Sequence, residues 1–497
     1  MVFVMGIGQS NFKFERLDYG IPEDHISRFI VRFVDEFYPT WGIEEIEGER
    51  GRPSLSVREM FKLIIYAYYC GVTSSNVIED LAMFHKIYIY VSDEIKPSER
   101  TIRRFITKYG YLFNNLIGSC LMFANVLELT DFKHIAVDGT VQKANNSKFN
   151  VIHKKDIQLL INYYSGFVLS DEEIKKLPRP VRKIIKRKDL SNDDKLDLLA
   201  ELQTQITMSG QNTVPVNDVE ARWMQNKDGN KQISYNVQTA VDTESKLICS
   251  VKVSQNPTDH YELPEIVEKA ITNIGDEPDY ISADTGYHNE VSFEYLKQRN
   301  IEALIPDRKQ TRENTNSLSE NPYHKDHFEY NYEKDAFICP NKKELKFKYE
   351  YSYSSKYEDY PDKIERKYMN YNACKNCEDL NKCTGSSHRI ISEFASKKSL
   401  ETKNKMNTEE YKEKFKQRSS TVEAPFGTLK VYYHMNELPT KGIQHTENIL
   451  ALCAVTYNLK RLHNMLKETY ELTDDINIFK EKMEALLNLK CKLTEKQ

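Results

Sequence analysis

Apolar residues recur at helical spacing in the first quarter of the chain. Ile26, Phe29, Ile30, Phe33, Val34 and Phe37 fall on one face and predict a helix within 22–37. Gly51-Arg52-Pro53 breaks the pattern. Ser56, with Glu59 three positions later, then predicts an N-cap and capping box ahead of the run MFKLIIYAYYC. Further helices are expected over 75–84 and 97–108. After about residue 130 the period changes. A strand and turn are expected over 133–140. ISYNVQTAVD and KLICSVKVSQ, separated by Thr243-Glu244-Ser245, read as a hairpin. A helix over 261–273, a strand over 280–283, a helix over 292–299 and the strand IEALIP follow. This mixture predicts an α/β fold whose sheet has parallel and antiparallel parts. Between these elements, 150–223 reads as polar and helical. Residues 306–400 are polar and rich in Tyr, Lys and Asn. Helical character returns from Thr408. Ile449, Leu452, Cys453, Val455, Thr456 and Leu459 form a stripe expected to pack on the sheet.

The 497 residues allow two to four domains. The formal charge of −4 excludes a general polycation, so any nucleic-acid contact must come from local basic clusters. Two are present. Arg100, Arg103, Arg104 and Lys108, at spacings of three and four on a short helix, suit a helix-turn-helix unit or a plain helical bundle. Between positions 174 and 188 there are eight basic residues, Arg182 among them, and no acidic one; a solvated helix face and a DNA contact both fit. No apolar run reaches membrane-spanning length. The N-terminal MVFVMGIGQS lacks the basic lead of a signal peptide. Nine scattered cysteines suggest a reduced, cytoplasmic protein.

Three acidic residues carry the candidate chemistry: Asp138 in HIAVDGT, Asp284 in YISADTGYH and Glu423 in RSSTVEAPFGTLK. Each Asp follows a short apolar run and precedes small residues, as expected of a carboxylate presented from a strand end. Two or three such carboxylates at one point suit Mg²⁺, a hard cation that takes oxygen ligands. A lone Asp before Gly-Thr is otherwise a turn residue, and a lone helical Glu is otherwise solvated. Asp259 with Glu262 reads as a helix cap rather than a fourth ligand. Cys374, Cys377 and Cys383, with Cys339 upstream, match four thiolate ligands of a structural Zn²⁺. Free thiols and an iron–sulfur cluster remain as alternatives.

At these motifs the chain resembles the DDE transposases of bacterial insertion sequences. The resemblance runs through GRPSLSVREMFKLIIYAYYCGVTSS, VDGTVQKANNSK, ARWMQNKDGNKQISYNVQTAVD, ISADTGYHN, VEAPFGTLK and ILALCAVTYNLKRL, in that order. It implies a ribonuclease H-like core with Asp138, Asp284 and Glu423 as the catalytic triad. It further implies cleavage and joining of DNA ends with two Mg²⁺ (or Mn²⁺) ions, terminal inverted repeats and target DNA as partners, and at least a homodimer on DNA. Lys143, Arg418 and Lys430 are candidate phosphate contacts. Relatives carry Tyr, Arg, Glu and Lys around the Glu; here the aromatic is Phe415, and Pro425 is expected to kink the helix and turn Lys430 away. The domain plan is a helical DNA-binding unit over 1–130 and a first core part over 131–305, with a basic helical insertion over about 150–223. A cysteine-bearing insertion over 306–400, a second core part with Glu423 over 401–470 and a helical tail over 471–497 complete it. The rival reading is a transposase-derived DNA-binding regulator without cleavage activity.

Overall fold

The computed structural model describes residues 2–4, 13–43, 55–226, 228–314, 318–353, 363–393, 397–433 and 435–469, with 477, 478 and 481. The Gly51-Arg52-Pro53 break and nearly all of the 471–497 tail lie outside the described residues. The fold is mixed α/β. Six strands form the central sheet: β1 (His134–Lys143), β2 (Arg222–Gln225), β3 (Lys231–Asp242), β4 (Ile248–Ser254), β5 (Tyr280–Ser282) and β6 (Glu302–Leu304). Their order is β6-β5-β1-β3, after which β3 pairs with β2 along its first half and β4 along its second. β1, β5 and β6 run parallel, whereas β3 is antiparallel to β1, β2 and β4. The hairpin of β3 and β4 stands where the alternation places it. It turns on Asp242, whose Oδ2 accepts from Ser245 N at 2.7 Å, Ser245 Oγ at 2.6 Å and Thr130 Oγ1 at 2.7 Å.

The apolar stripe near the C-terminus belongs to the helix Ile443–Thr469, and all six stripe residues are buried. This helix covers the outer edge of β4. Asn458 accepts from Ile248 N at 2.8 Å and donates to Ile248 O at 2.9 Å, while Glu447 accepts from Val253 N at 3.0 Å. The edge strand's backbone groups are thereby satisfied and shielded from pairing with another chain.

The N-terminal helices Ile26–Phe37, Val57–Tyr69, Ser75–Phe84 and Glu99–Tyr109 agree with the periodicity, and the structure adds Lys86–Val91 and Leu112–Val126. One detail differs. Ser56 accepts from Glu59 N at 3.5 Å, but the Glu59 carboxylate turns to Arg58 (3.0 Å) and Lys62 (3.3 Å) instead of closing a capping box. Glu59 and Lys62 are both buried, and burying two opposite charges together outweighs a surface cap. Phe29, Phe33, Phe37 and Phe123 make edge-on and tilted ring contacts at 4.6–6.4 Å. Their core is continuous with that of the central sheet and the C-terminal helix.

Two further cores stand apart. Ile152, Ile157, Leu160, Val181, Ile184 and Leu199 anchor one in the polar helical segment after β1. Phe328, Phe337, Leu345, Tyr368, Ile391 and Leu400 anchor the other. The latter supports an antiparallel sheet in the order 329–331, 336–338, 344–353, 363–369, 390–393. Periodicity alone reads this region only as a polar insertion.

His463 ties the C-terminal helix to the N-terminal segment: its Nε2 donates to Asp24 O at 3.0 Å. Burial, with Lys467 nearby, holds its imidazole down to about 4. The unfolded chain therefore binds one more proton than the folded one between about pH 6.5 and 4, and stability falls as pH drops through that window. The loss at pH 5 is expected to be about 2 kcal/mol. Denaturant titrations at pH 7 and 5 check this; His463→Gln should reduce the difference by about that amount, leaving the share of His134, whose imidazole burial also holds down to about 4.

Candidate active site

Asp138 lies within β1 rather than at its end. The strand continues through Gly139 and Thr140 to Lys143, paired with β3 as Asp138↔Thr239, Gly139↔Gln238 and Thr140↔Val237. The turn expected at Asp-Gly-Thr is absent because β3 is long enough to pair with all of β1. What ends near Asp138 is the parallel pairing with β5, whose last matched pair is Ala136↔Ser282. Asp138 and Asp284 each lie two residues beyond that last pair, where the parallel strands part, and both act on the buried Tyr287.

Asp284 does terminate its strand. It caps the short 3₁₀ turn Thr285–Tyr287, and its Oδ1 accepts from Gly286 N at 2.7 Å. Tyr287 drops from this turn into the interior and is fully buried, with its hydroxyl donating to Gln238 Oε1. Its phenol is pushed far above the ordinary range by burial and by the carboxylates of Asp259, Asp138 and Asp284, with Arg418 opposing. One tyrosine thus senses three carboxylates and one guanidinium.

Asp259 corrects the helix-cap reading. The following helix, Leu263–Ile274, has Glu262 at its N-cap and no side-chain cap. The Asp259 carboxylate instead faces β3: Oδ1 accepts from Asn236 Nδ2 at 2.8 Å and from Gln238 Nε2 at 2.6 Å. Burial raises its pKa, as does the nearby Asp284, while the two amides lower it. Side-chain donors on the sheet, already ordered, outcompete the exposed N–H groups of a helix end. The available signal was the pair Asn236 and Gln238, two amides on one face of an otherwise apolar buried strand.

Glu423 sits on the helix Glu409–Gly427 and is exposed. The helix packs along β1 and β3 through buried Thr421, Val422 and Phe426. Arg418 Nη2 meets Asp138 Oδ1 at 2.8 Å, so it touches a carboxylate of the site directly. Phe415, one turn earlier, is half-buried. Pro425 neither ends the helix nor turns Lys430 away. A π turn, Thr428–Tyr432, absorbs the disturbance, and Lys430 Nζ donates to Thr140 Oγ1 at 2.6 Å. Arg418 and Lys430 therefore flank the β1 segment that carries Asp138. Lys143 lies farther out, paired with Glu437 at 3.0 Å and half-exposed. Glu423 lies on the same helix as Arg418, five residues farther on, and among the described residues no hydrogen bond links it to either aspartate.

The basic clusters sit on other elements. Arg100, Arg103, Arg104 and Lys108 are all exposed on one face of Glu99–Tyr109, with Ile102 and Phe105 buried beneath; Arg103 pairs with Glu99. Arg182 lines an open surface depression with Arg179, Lys183, Lys186, Arg187, Lys188 and Asp189.

Cys339, Cys374, Cys377 and Cys383 come from the hairpin after 336–338 and from two short helices, and all are partly exposed. Lys343 N donates to Cys339 Sγ at 3.3 Å and Asn341 Nδ2 to Cys377 Sγ at 3.6 Å. Burial raises the Cys383 thiol; Arg389 lowers it, and Cys374, Cys339 and Cys377 raise it. The four cysteines are therefore neighbours. Among the described residues, no three His, Cys, Asp or Glu side chains converge into a closed metal cage, at the cysteines or at the carboxylates. Among them, too, no helix is long and apolar enough to cross a membrane.

Residues 15–108 match the family described as Transposase domain (DUF772), and residues 338–463 match the family described as Transposase DDE domain. The second match includes Glu423, Arg418 and the four cysteines; Asp138 and Asp284 lie between the two. No curated protein and no solved structure matches the chain. Together the two matches indicate a DDE-type transposase of an insertion-sequence family.

Proposed function

We propose that this transposase cuts and joins the DNA ends of its own mobile element at the cleft formed by Asp138, Asp284 and Glu423, using divalent cations. The observation that supports the reading is the parallel β1–β5 pairing, which ends at Ala136↔Ser282, two residues before Asp138 and Asp284. The donor chemistry fits Mg²⁺ or Mn²⁺, hard cations that take carboxylate oxygens. Bound there, two such ions supply activation of a water or 3′-hydroxyl and neutralisation of the leaving oxygen. The chain's own groups do the rest. Asp138 and Asp284 hold position through the strands, and Glu423 reaches in from the packed helix. Arg418 and Lys430 offer cationic contacts to the phosphates on either side of the scissile bond. The sheet order, antiparallel across β4-β3-β1 and parallel across β1-β5-β6, supports a ribonuclease H-like core. Pairing two ends calls for at least a dimer on DNA. The test is purified full chain with duplex carrying the element's inverted ends. Nicking at the end in Mg²⁺, abolished by chelation, supports the reading; no metal-dependent nicking overturns it.

The exposed face of Glu99–Tyr109 is proposed as the element-end contact, with the 179–188 cluster as a second phosphate surface. Arg100→Ala with Arg104→Ala, in the full chain, should weaken end binding and lower the salt slope by about one for each phosphate no longer neutralised. Binding measured across a salt series checks this. An unchanged slope, with weakening instead in Arg182→Ala, moves the contact to the second surface.

The four cysteines are proposed to hold one structural Zn²⁺. Two N–H···S bonds already orient Cys339 and Cys377, as ligand thiolates require. Elemental analysis of chelator-free protein should find close to one Zn²⁺ per chain, absent in Cys377→Ser. Metal-free protein with an intact, protease-resistant insertion makes these ordinary thiols.

A further inference from the structure

The segment between β1 and β2 folds as a module around its own core, in which Ile152, Val181, Ile184 and Leu199 are buried. Its strands Val151–His153 and Thr213–Pro215 pair antiparallel, so the chain enters and leaves the module side by side. Its helix Arg179–Lys186 buries Pro180, Val181 and Ile184. The opposite face carries Arg179, Arg182, Lys183 and Lys186, at positions i, i+3, i+4 and i+7. That spacing puts all four on one stripe, about 10 Å long at a rise of about 1.5 Å per residue. Arg179, Lys183 and Lys186 are exposed, and Arg182 is half-buried. The strand Val151–His153 packs on this helix and leads into Lys154 and Lys155, both exposed.

What sets the stripe apart is its lack of counter-charge. Many cations elsewhere in the chain are paired: Arg299 with Glu268 and Glu277, Lys405 with Glu302, Lys414 with Glu410. Among the described residues, none of the four stripe cations makes an ion pair, nor does Lys154 or Lys155, and Arg182 Nε donates to no acceptor. Arg187, just past the helix, is paired with Asp189 at 2.7 Å. Four like charges on one short helix face repel one another, and an opposite charge laid against them offsets that cost. Duplex DNA supplies one phosphate charge per about 1.7 Å of its axis, enough to face every cation of the stripe. The stripe holds no Asn, Gln, Ser or Thr, the residues that, with bidentate Arg, read base edges. The face of Glu99–Tyr109 differs, since the exposed Thr107 stands among Arg103, Arg104 and Lys108.

We infer that this module is the seat of target DNA, and that the stripe of Arg179, Arg182, Lys183 and Lys186 grips a duplex by its phosphates whatever its sequence. The assignment rests on the cut-and-join reading above. An element's end is one fixed sequence, which base contacts can recognise. Duplexes outside the element have only their backbone in common, and a face of cations alone suits that backbone. The module's place in the chain fits the same role. It leaves β1 shortly after Lys143, which lies about 17 Å along the strand from Asp138, so the duplex is held at the strand that carries the candidate site.

The experiment has two arms, both on the full chain. The first measures affinity for a random-sequence duplex of about 30 base pairs, free of any element end, across a salt series. Lys183→Gln with Lys186→Gln, both at exposed positions, is expected to weaken binding about tenfold and to lower the salt slope by about two, with the melting temperature maintained. The second arm supplies end-carrying duplex together with an unrelated duplex as target, and measures the ratio of joined to cleaved ends. That ratio is expected to fall about tenfold in the same variant. In Arg100→Ala with Arg104→Ala, cleavage and joining are expected to fall together and the ratio to stay at the wild-type value. Wild-type affinity and salt slope in the folded lysine variant overturn the inference. Weakened binding with an unchanged ratio also overturns it, and gives the stripe to DNA flanking the element. A wild type that cleaves no end overturns the cut-and-join reading and, with it, the assignment to target.

Discussion

Asp138→Asn or Asp284→Asn is expected to lower strand cleavage by about a thousandfold or more, while leaving affinity for the element's ends within a few-fold of wild type. Each substitution keeps the shape of the side chain and removes the charge proposed to hold a cation. Asp284→Asn leaves the Gly286 N–H with an acceptor, so the 3₁₀ turn and the buried Tyr287 behind it persist. Asp138→Asn breaks the 2.8 Å pair with Arg418, a half-buried contact whose removal affects the helix position more than the overall fold. Glu423→Gln should behave in the same way. Its carboxylate is exposed, so a stability defect in that variant is not expected. Cleavage of end-containing duplex and binding to the same duplex, measured side by side, check all three. Near-normal Mg²⁺-dependent cleavage by any one removes that residue from the site.

Gly139→Ala is the second large effect. The new methyl would sit 2.3 Å from Asp259 Oδ1, 2.4 Å from Gln238 Nε2 and 2.9 Å from Asp259 Cγ. None of these is the loose end of a surface chain, since Gln238 is fully buried and both groups share one hydrogen-bond network. Something must shift, and overpacking of this kind costs about 1–3 kcal/mol. Cleavage should fall with it, because the displaced groups lie between the two aspartates. Gly286→Ala provides the comparison. Its closest contact is Asp284 Oδ1 at 2.9 Å, so stability should change less while the Asp284 carboxylate is disturbed. Thermal melts and cleavage assays on both variants check the contrast. Equal, wild-type behaviour in both would show that the space beside β1 is not needed.

The parts of this protein that were legible in its sequence are those with a single repeated face. Ile26 to Phe37 and Ile449 to Leu459 pack against one continuous core, so their apolar stripes survive in the residue order. The β3–β4 hairpin was equally readable, because Asp242 and Ser245 form their turn from local hydrogen bonds. The cysteine-bearing sheet was not. Tyr349, Tyr351 and Tyr353 project from one face of its longest strand at 40–48% exposure, interleaved with Lys348, Glu350 and Ser352. The alternation therefore lacks the apolar-in, polar-out contrast that marks a half-buried strand.

The candidate site divides along the same line. Asp138 and Asp284 each announce themselves locally, by an apolar run and a small residue after the Asp. Their approach depends on the β1–β5 pairing, which ends two residues before each of them and which no local string encodes. The small residues also misled. Gly139 after Asp138 reads as a turn, whereas its lack of a side chain makes room for Asp259, which arrives from a distant part of the chain. Asp259 was hidden for a related reason: Glu262 three positions later imitates a helix start, and the amides that claim the carboxylate lie on a different element. Arg418 and Lys430 were expected on phosphates. Their contacts with Asp138 and Thr140 depend on how a helix after a long insertion returns to β1.

The central claim is that Asp284 holds a divalent cation during strand cleavage, and the most direct test exchanges its ligand oxygen for sulfur. Wild type and Asp284→Cys are compared on duplex carrying the element's end, with Mg²⁺ and with Mn²⁺. A thiolate is a poor ligand for Mg²⁺ and a better one for the softer Mn²⁺. The account predicts that the variant is inactive in Mg²⁺ and regains cleavage in Mn²⁺, raising the Mn²⁺-to-Mg²⁺ activity ratio sharply above that of wild type. An unchanged ratio would contradict it.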